Sequence, residues 1–199
     1  MSINLFDELE ADPETMARLH LRLEREATED DLLDVAYRTV DSPVGKLLLA
    51  ATTVGLVRVA YDVQDHDAVL AKLASAVSPR VLRAPARLDN AARQLDEYFA
   101  KRRTEFEVPV DLRLAEGFRR SVIEHLRDLG YGRRESYADV AMAVGSPRAV
   151  RAVGSACAHN PLPVVIPCHR VVRSDGSSGQ YVGGPAAKTT LLDLEAVRE

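Results

Sequence analysis

The chain has 199 residues, of which 46% are hydrophobic and 28% charged, a balance typical of a globular protein long enough for one or two domains. The net charge of -4 is unevenly distributed, because residues 1–34 hold eleven acidic and three basic residues while the remainder carries +4. The acidic N-terminus is unlike a secretory or organellar leader, and no apolar run approaches the ~20 residues of a membrane span. With only two cysteines, we expect a cytoplasmic protein with reduced thiols and no membrane partner.

An acidic arm precedes the body of the chain, and we place it at residues 1–34. Within it, the segment PETMARLHLRLERE has Met16, Leu19 and Leu23 at helical spacing, which predicts a short amphipathic helix over 13–26. The sequence leaves three interpretations of this arm open. It docks on the body, it covers basic surface, or its helix binds a partner.

Residues 35–110 have the pattern of a small α/β domain. Turn-forming residues separate three runs that predict an antiparallel meander of strands, namely VAYRTV, KLLLAATT and VGLVRVAYD. Helical spacing follows at about 67–77 and 89–102, and EFEVPV at 105–110 predicts one more short strand. Residues 109–114 are expected to be the linker to a second domain.

The second domain, residues 115–199, has a mainly helical period. Ser136, with an aspartate three positions later, predicts the N-cap of a helix that ends at Gly145. Ser146 is expected to cap the following helix, with Pro147 in its first turn. The other helices of this domain are predicted at 115–129 and 186–197.

The two helices on either side of Gly145 have the spacing of a helix-turn-helix, although a plain αα-hairpin gives the same pattern. Major-groove readers usually present long polar side chains to the bases. The second helix instead carries small residues and two arginines, so we expect it to lie against the DNA backbone or in a shallow groove with weak sequence preference. Alternatively, its alanines pack on a neighbouring helix. The candidate DNA-contacting residues are Arg148, Ala149, Arg151, Ala152, Gly154 and Ser155.

Cys168 and His169 stand side by side after NPLPVVIP, whose three prolines predict a stiff, extended segment. Adjacent side chains of an extended chain point to opposite sides, so a link between the two needs a bridging water or a turn. Nearby His169, Arg170 and Arg173 favour a lowered thiol pKa. The residues alone leave a packing thiol and a nucleophile open, and His169 with Asn160 also permits a cysteine hydrolase.

A metal site fits the spacing less well. The C-x-H and C-H pairs differ from the ligand spacing of structural zinc sites, and the intervening prolines restrict folding around an ion. We therefore expect no metal, and we expect no disulfide in a reducing compartment. The four potential metal ligands considered are Cys157, His159, Cys168 and His169.

Several motifs occur together in residues 136–195: NPLP, then PCHRVV, then SG-x-Y-x-GG in the loop 173–184, and a K-x-x-LL-x-x-E tail. By itself that glycine-containing loop suits either close approach to a flat ligand or a plain surface turn. Together the motifs resemble the C-terminal domain of the O6-alkylguanine-DNA alkyltransferases, and the upstream half matches that family's smaller domain in outline. The resemblance implies an α+β fold with a ribonuclease H-like N-terminal domain, its sheet three-stranded and antiparallel. It also implies a C-terminal, mainly helical domain with the helix-turn-helix and the active-site cysteine.

The resemblance implies direct-reversal DNA repair, in which an alkyl group moves irreversibly from a flipped-out O6-alkylguanine of double-stranded DNA to Cys168. His169, acting through a water and oriented by Glu195, would take the thiol proton. Asn160 would tie the recognition helix to the cysteine segment. Tyr137 would donate a proton to the departing base.

The same resemblance implies the remaining site residues. Arg151 would fill the space that the flipped base leaves in the DNA. Tyr181 would form a pocket wall, and the N–H of Val182 would face the O6 atom. The carbonyl groups of Cys168 and Val171 would accept from the exocyclic amine, with Gly183 and Cys157 beside them. No cofactor is implied, and the zinc of some relatives is not expected because no cysteine precedes residue 157.

Two other functions remain beside alkyl transfer. A lesion-binding protein without chemistry would carry another residue at the cysteine, so the intact PCHR argues against it. A helix-turn-helix transcription regulator would bind a fixed site independently of alkylation, with the acidic arm as its protein contact. We expect a monomer, and the sequence leaves cooperative binding along DNA, alkyl-group size and activity on O4-alkylthymine open.

Overall fold

The computed structural model describes residues 12–196, and its first element is the predicted arm helix. Helix α1 runs over Pro13–Glu29 and begins where the Asp12 carboxylate accepts the N–H of Thr15 at 3.1 Å. The helix touches the body, because Nε2 of His20 lies 2.7 Å from the carbonyl oxygen of Arg83. No residue of the helix is buried, and its apolar residues Met16, Leu19 and Leu23 are about half exposed, so the three interpretations of the arm stay open. Residues 1–11 lie outside the described part of the chain.

The predicted meander is present but belongs to a larger sheet. Strands β1 (Val35–Val40), β2 (Leu47–Ala51) and β3 (Leu56–Tyr61) pair antiparallel in sequence order. A fourth strand, β4 (Val81–Arg83), pairs parallel with β1, so the sheet is mixed with the order β3-β2-β1-β4. The expectation of a three-stranded antiparallel sheet is corrected accordingly. Three residues are too few to show a period of two, which is why β4 gave no sequence signal.

Residues 105–110 do not form the predicted strand. They make one bridge, between Leu56 and Val110, and the N–H of Leu56 donates to the carbonyl oxygen of Pro109 at 2.8 Å. Pro109 has no N–H, so it cannot continue a ladder of strand hydrogen bonds. A side chain at Gly55 would come within 2.4 Å of the Pro109 oxygen, which shows how closely this segment approaches the sheet.

The two faces of the sheet are buried by different elements. Helix α2 (His66–Ala76) places Val69 and Leu73 against one face. Helix α3 (Asp89–Phe99) covers the other face, in a hydrophobic cluster that continues through the C-terminal helices as far as Cys168. The sheet face on the α3 side thus shares its core with the region that carries the cysteine.

The C-terminal part contains four helices: α4 (Gly117–Arg127), α5 (Tyr137–Ala143), α6 (Val150–Ala158) and α7 (Gly184–Leu194). Two-residue strands β5 (Glu135–Ser136) and β6 (Val171–Val172) pair parallel between them. The predicted cap of α5 is confirmed, since the Ser136 hydroxyl accepts the N–H of Asp139 at 3.1 Å and the Asp139 carboxylate accepts the N–H of Ser136 at 2.9 Å. Gly145 ends this helix with a φ of +71°, a conformation that glycine adopts without strain.

The predicted start of α6 is wrong by three residues. Ser146 does not cap the helix, because Ser146 to Ala149 form a turn in which the N–H of Ala149 donates to the Ser146 carbonyl oxygen at 2.8 Å. Pro147 takes the second position of this turn, where its fixed φ is favourable. Ala149 is the residue that precedes the first helical turn.

None of the helices described between residues 12 and 196 combines the length and the apolar character that a membrane span requires.

Candidate active site

The segment before Cys168 is folded around one asparagine and is not extended as predicted. The side-chain amide of Asn160 donates to the carbonyl oxygen of Ile166 at 2.8 Å, and its oxygen accepts the N–H of Leu162 at 2.9 Å. A turn closes between Leu162 and Ile166, with Val164 at a φ of +72°. The prolines restrict single residues, but these side-chain hydrogen bonds determine the path of the loop. Cys168 then begins a short 3-10 turn, so the turn that the Cys168–His169 adjacency required is present.

The Cys168 thiol is buried, with 2% of the residue exposed, and Sγ accepts a hydrogen bond from the Asn160 amide at 3.1 Å. Burial raises the pKa of Cys168 to about 11, although the Asn160 hydrogen bond and the charge of Lys188 act in the opposite direction. The expectation that basic neighbours lower this pKa is therefore wrong. Arg170, the nearest arginine in sequence, is bound to a carboxylate instead of the sulfur.

His169 is fully buried, and its two ring nitrogens differ in their partners. Nε2 lies 2.9 Å from Oε1 of Glu195, while Nδ1 has no hydrogen-bond partner among the described residues. A carboxylate only accepts, so Nε2 must carry the hydrogen and Nδ1 the lone pair. Burial lowers the pKa of His169, and the hydrogen bond and charge of Glu195 offset this only in part. The ring is thus a neutral base with its free lone pair on Nδ1.

The Glu195 carboxylate follows directly after α7 and accepts hydrogen bonds at both oxygens. Oε1 accepts from His169, from the Tyr98 hydroxyl at 2.6 Å and from Nη2 of Arg170 at 2.8 Å. Oε2 accepts from Nε of Arg170 at 2.8 Å and from the N–H of Gly132 at 3.2 Å. Burial by itself would raise the pKa of Glu195, but the hydrogen bonds from His169 and Arg170 outweigh burial and hold it well below its usual range.

Two side-chain partners of Glu195 were not identified from the sequence. Arg170 was considered only as a charge near the cysteine, and it is the bidentate partner of Glu195. Tyr98 is 97 residues from Glu195 in the chain and was not singled out in the sequence. A contact of that range leaves no local signal, so only the fold could reveal it.

Aromatic rings surround the other side of the cysteine. The Tyr181 hydroxyl lies 2.9 Å from the Tyr61 hydroxyl of β3, and the Tyr181 ring packs edge-on to His169 at 6.3 Å. Tyr137, the first residue of α5, lies so close to Gly179 that a side chain there would come within 2.3 Å of the Tyr137 hydroxyl. Burial raises the pKa of Tyr137, which keeps it a proton donor.

Two glycines of the 173–184 loop lie against tyrosines of the protein itself. Besides Gly179, a side chain at Gly183 would come within 2.6 Å of the Tyr61 ring. Val182, between Tyr181 and Gly183, is partly buried. Both glycines therefore have a packing reason to lack a side chain, independent of any ligand.

A buried lysine and the second cysteine complete the surroundings of the sulfur. Lys188 of α7 donates to the carbonyl oxygen of Val171 at 2.6 Å. Burial lowers the pKa of Lys188 and raises the pKa of Cys157 well above its usual range. Cys157 is therefore a protonated thiol packed within α6.

Helix α6 has one buried and one exposed face. Val153, Ala156 and Cys157 are buried, and the opposite face is the one on which DNA contacts were predicted. Gly154 lies close to Tyr137, since a side chain there would be 3.9 Å from its ring. The exposed candidates are Arg148, Arg151, Ala152 and Ser155, while Ala149 and Gly154 are partly buried.

No cluster of three or more histidine, cysteine, aspartate or glutamate side chains suited to a metal ion occurs within residues 12–196.

Comparisons with known proteins cover both halves of the chain. A family model described as "6-O-methylguanine DNA methyltransferase, ribonuclease-like domain" matches residues 35–112. A second, "6-O-methylguanine DNA methyltransferase, DNA binding domain", matches residues 117–197.

Individual relatives agree with these models. The chain is 40% identical to a methylated-DNA--protein-cysteine methyltransferase of Mycolicibacterium paratuberculosis, over 81% of this chain and 92% of that protein. It is 35% identical to the constitutive protein of that name from Bacillus subtilis, over 81% of this chain and 95% of the relative. Its structure is similar to that of Mycobacterium tuberculosis OGT in complex with DNA, with a TM-score of 0.71, 38% identity, and coverage of 80% of this chain and 92% of the other.

Proposed function

Because the chain belongs to the methylated-DNA--protein-cysteine methyltransferase family, we propose that Cys168 accepts an alkyl group from O6-alkylguanine in double-stranded DNA. The chain is a DNA repair protein that moves an alkyl group from DNA onto a cysteine of its own. The observation that supports Cys168 over Cys157 is its neighbour, a buried neutral imidazole with an unpartnered Nδ1. One molecule would repair one base, since the thioether product is stable.

The proposed chemistry starts with the thiol proton. A water between Sγ of Cys168 and Nδ1 of His169 would carry that proton to the ring. The Nε2–H group of His169 would keep its hydrogen bond to Glu195 throughout. A thiol whose pKa is about 11 is a thiolate in only about one molecule in ten thousand at pH 7, so transfer depends on this base. The low pKa of Glu195 keeps the proton on the imidazole, and the carboxylate stabilises the imidazolium that forms.

The second half of the reaction expels the purine. The Cys168 sulfur forms a bond to the alkyl carbon as the bond from that carbon to O6 breaks, and the electron pair passes to guanine. Tyr137 would give its proton to the departing base and regain one from the His169 imidazolium through water. The net result moves the thiol hydrogen to guanine and the alkyl group to sulfur. The Val182 N–H would support O6, and the carbonyl groups of Cys168 and Val171 would bind the exocyclic amine.

The buried sulfur also limits how the base arrives. With 2% of Cys168 exposed, a purine reaches the sulfur only when neighbouring side chains move. Residues 173–178 of the loop are exposed, and the buried Gly179 that follows them packs against Tyr137, which is itself only partly buried. We infer that base entry displaces this loop, while Asn160 and Glu195 stay in place.

Helix α6 is the proposed DNA contact. Its exposed face is small and carries Arg151, which would occupy the gap left by the extruded nucleotide. Arg151→Ala is expected to slow transfer from duplex DNA about tenfold and to leave transfer from the free base O6-methylguanine unchanged. Arg148→Ala is the matched control, with a smaller effect on duplex DNA. Equal effects on duplex and free base would contradict this role for Arg151.

The direct test uses duplex DNA with a labelled O6-methyl group. We expect up to one methyl group per protein molecule, located on the peptide that carries Cys168. Cys168→Ser should accept none, and Cys157→Ser should accept as much as the unchanged chain. Transfer to another residue would refute the mechanism, and lesion binding without transfer would indicate the lesion-binding alternative. Sedimentation of the protein alone would test the proposed monomer. Sedimentation during titration of DNA with the protein would test for cooperative binding along DNA.

A further inference from the structure

Tyr98 connects the N-terminal part of the chain to the proposed catalytic residues Cys168, His169 and Glu195. It lies in α3 and is fully buried, and its hydroxyl donates to Oε1 of Glu195 at 2.6 Å. The same oxygen accepts from Nε2 of His169 at 2.9 Å. A residue from the ribonuclease-like region therefore shares an acceptor atom with the proposed base.

The Tyr98 hydroxyl is held in position by packing. Its ring lies 5.3 Å from the Phe99 ring, 5.2 Å from the Phe106 ring and 6.2 Å from the Tyr131 ring. Burial and the Glu195 charge raise the pKa of Tyr98, so the hydroxyl keeps its hydrogen and acts only as a donor to the carboxylate. Such a fixed donor needs no rearrangement during the reaction.

We propose that Tyr98 is a positioning residue for alkyl transfer, which acts through Glu195 to set the orientation and basicity of His169. This inference rests on the proposed role of His169 as the base. The Tyr98 hydrogen bond withdraws charge from Oε1 and fixes the carboxylate plane. Without it, Oε1 becomes a stronger acceptor for Nε2–H, Nδ1 becomes more basic, and the carboxylate is freer to rotate away from the ring.

Other charged and titratable groups around His169 do not replace Tyr98. Arg170 remains on Glu195 through two hydrogen bonds, and Lys188 remains on the Val171 carbonyl. Their effect on the pKa of His169 is therefore the same in every variant of Tyr98. The charged and titratable groups that lie around His169 are Cys168, Arg170, Tyr181, Lys188 and Glu195, and Tyr131 lies beside Glu195.

Tyr98→Phe removes the hydroxyl and retains the ring, and Tyr131→Phe is a matched control. Tyr131 packs on Tyr98 in the same aromatic cluster, but its hydroxyl donates to the Leu194 carbonyl oxygen at 3.1 Å instead of to Glu195. Single-turnover transfer from saturating O6-methylguanine duplex is measured from pH 5 to 9. The end point of each reaction counts the active molecules, so a partly unfolded sample does not lower the rate constant.

We expect Tyr98→Phe to lower the rate constant at pH 7 about tenfold, the effect of losing one hydrogen bond to a charged group. We expect the acid limb of its pH profile to move to higher pH and DNA affinity to stay within about twofold. Nitrogen NMR of His169 should show the same upward movement of its pKa in the Tyr98→Phe variant. Tyr131→Phe should retain the original profile, and Tyr98→Phe should have no further effect in a Glu195→Gln background.

An unchanged rate and profile in Tyr98→Phe would overturn the inference, as would an equal loss in Tyr131→Phe or an additive loss in the Glu195→Gln background. Failure of the proposed function would give a different result, because the unchanged chain itself would then place no methyl group on Cys168.

Discussion

The two sides of the His169 ring have opposite surroundings. On the Nε2 side, Glu195 accepts hydrogen bonds from three other residues besides the ring, at both of its oxygens. On the Nδ1 side, the ring nitrogen has no partner within the described residues, and the nearby Cys168 sulfur accepts one side-chain hydrogen bond, from Asn160. The Nε2 side, called the saturated side below, has donors at both carboxylate oxygens. The Nδ1 side, called the open side, still has an acceptor nitrogen that can bind a water or a ligand.

This difference indicates where change takes place during the reaction. In the proposed reaction, the saturated side would hold its charges in fixed positions and so stabilise the imidazolium without moving. The open side would have to admit a purine and pass a proton, and saturation there would block both. An unpartnered buried nitrogen is costly in a finished core, so its presence marks the side on which a ligand or water is expected.

Glu195→Gln is expected to have the largest effect because it breaks the saturated side. A neutral amide leaves the Arg170 guanidinium, 5% exposed, without its carboxylate, at a cost of about 3–5 kcal/mol. We expect transfer to slow about 100-fold, measured by single-turnover kinetics together with urea unfolding. Glu124→Gln, which breaks an exposed pair with Arg120, should cost less than about 1 kcal/mol. Similar losses in both variants would contradict the comparison.

The Cys168 thiol should make the open side sensitive to alkali. Its pKa is raised from 9.0 to about 11, so the folded chain keeps a proton that the unfolded chain loses, and stability falls as pH rises through this window. At ~1.4 kcal/mol per pKa unit this amounts to about 3 kcal/mol. His169 acts at the other end, because its lowered pKa makes stability fall as pH drops below 6.5.

The measurement is urea unfolding at pH 9 and pH 11. Cys168→Ala should remove about 2 kcal/mol of the loss between these two pH values, because the thiol is half titrated in the unfolded chain at pH 9 and in the folded chain at pH 11. S-methylated protein should behave like the alanine variant because a thioether does not titrate. The same loss in all three samples would show that Cys168 does not titrate as described.

Asn160→Ala should loosen the open side while leaving Glu195 untouched. It removes hydrogen bonds to Ile166, Leu162 and the Cys168 sulfur, so we expect a loss of about 2 kcal/mol. The pKa of Cys168 should rise further, because the Asn160 hydrogen bond favours the thiolate. Transfer at pH 7 should slow about tenfold and recover partly at higher pH. A rate loss that is independent of pH would argue against an effect on the thiol.

Tyr61→Phe is expected to have the smallest effect. It removes the hydroxyl contact to Tyr181 but keeps the ring packed on Gly183, so the cost should be about 1 kcal/mol. Transfer should change less than about threefold, with an unchanged pH profile. Tyr37→Phe, on the other face of the sheet, is the control and should leave transfer unaltered. A shifted pH profile in Tyr61→Phe would place this tyrosine in the proton-transfer path.

Local chemistry predicted much of the C-terminal part. The reciprocal hydrogen bonds of Ser136 and Asp139 need only four consecutive residues, and the structure has them. Resemblance supplied Cys168, His169 and Glu195, and the fold brings the latter two into contact. The roles of these residues, the helix-turn-helix assignment and the boundaries at 1–34, 35–110 and 115–199 remain predictions.

What the sequence did not predict depends on distant contacts or on burial. Strand β4 exists because β1 offers an edge, not because three residues prefer to be extended. The Pro161–Pro167 segment is curved by Asn160, which outweighs the preference of the prolines. The charges around Cys168 suggested a reactive thiolate, but desolvation is the larger influence on its pKa. Tyr98 reaches Glu195 only because the fold brings the end of α3 close to the residue that follows α7.

The depth of the Cys168 sulfur has a consequence for the lifetime of the protein. In the proposed single-turnover reaction, a molecule must still be unreacted when a lesion forms, even long after its synthesis. Peroxides, haloacetamides and simple methylating agents attack the thiolate, and a covered thiol with a pKa of about 11 gives them almost none. Under that proposal, damage in DNA, rather than time or oxidants, would determine when each copy is consumed.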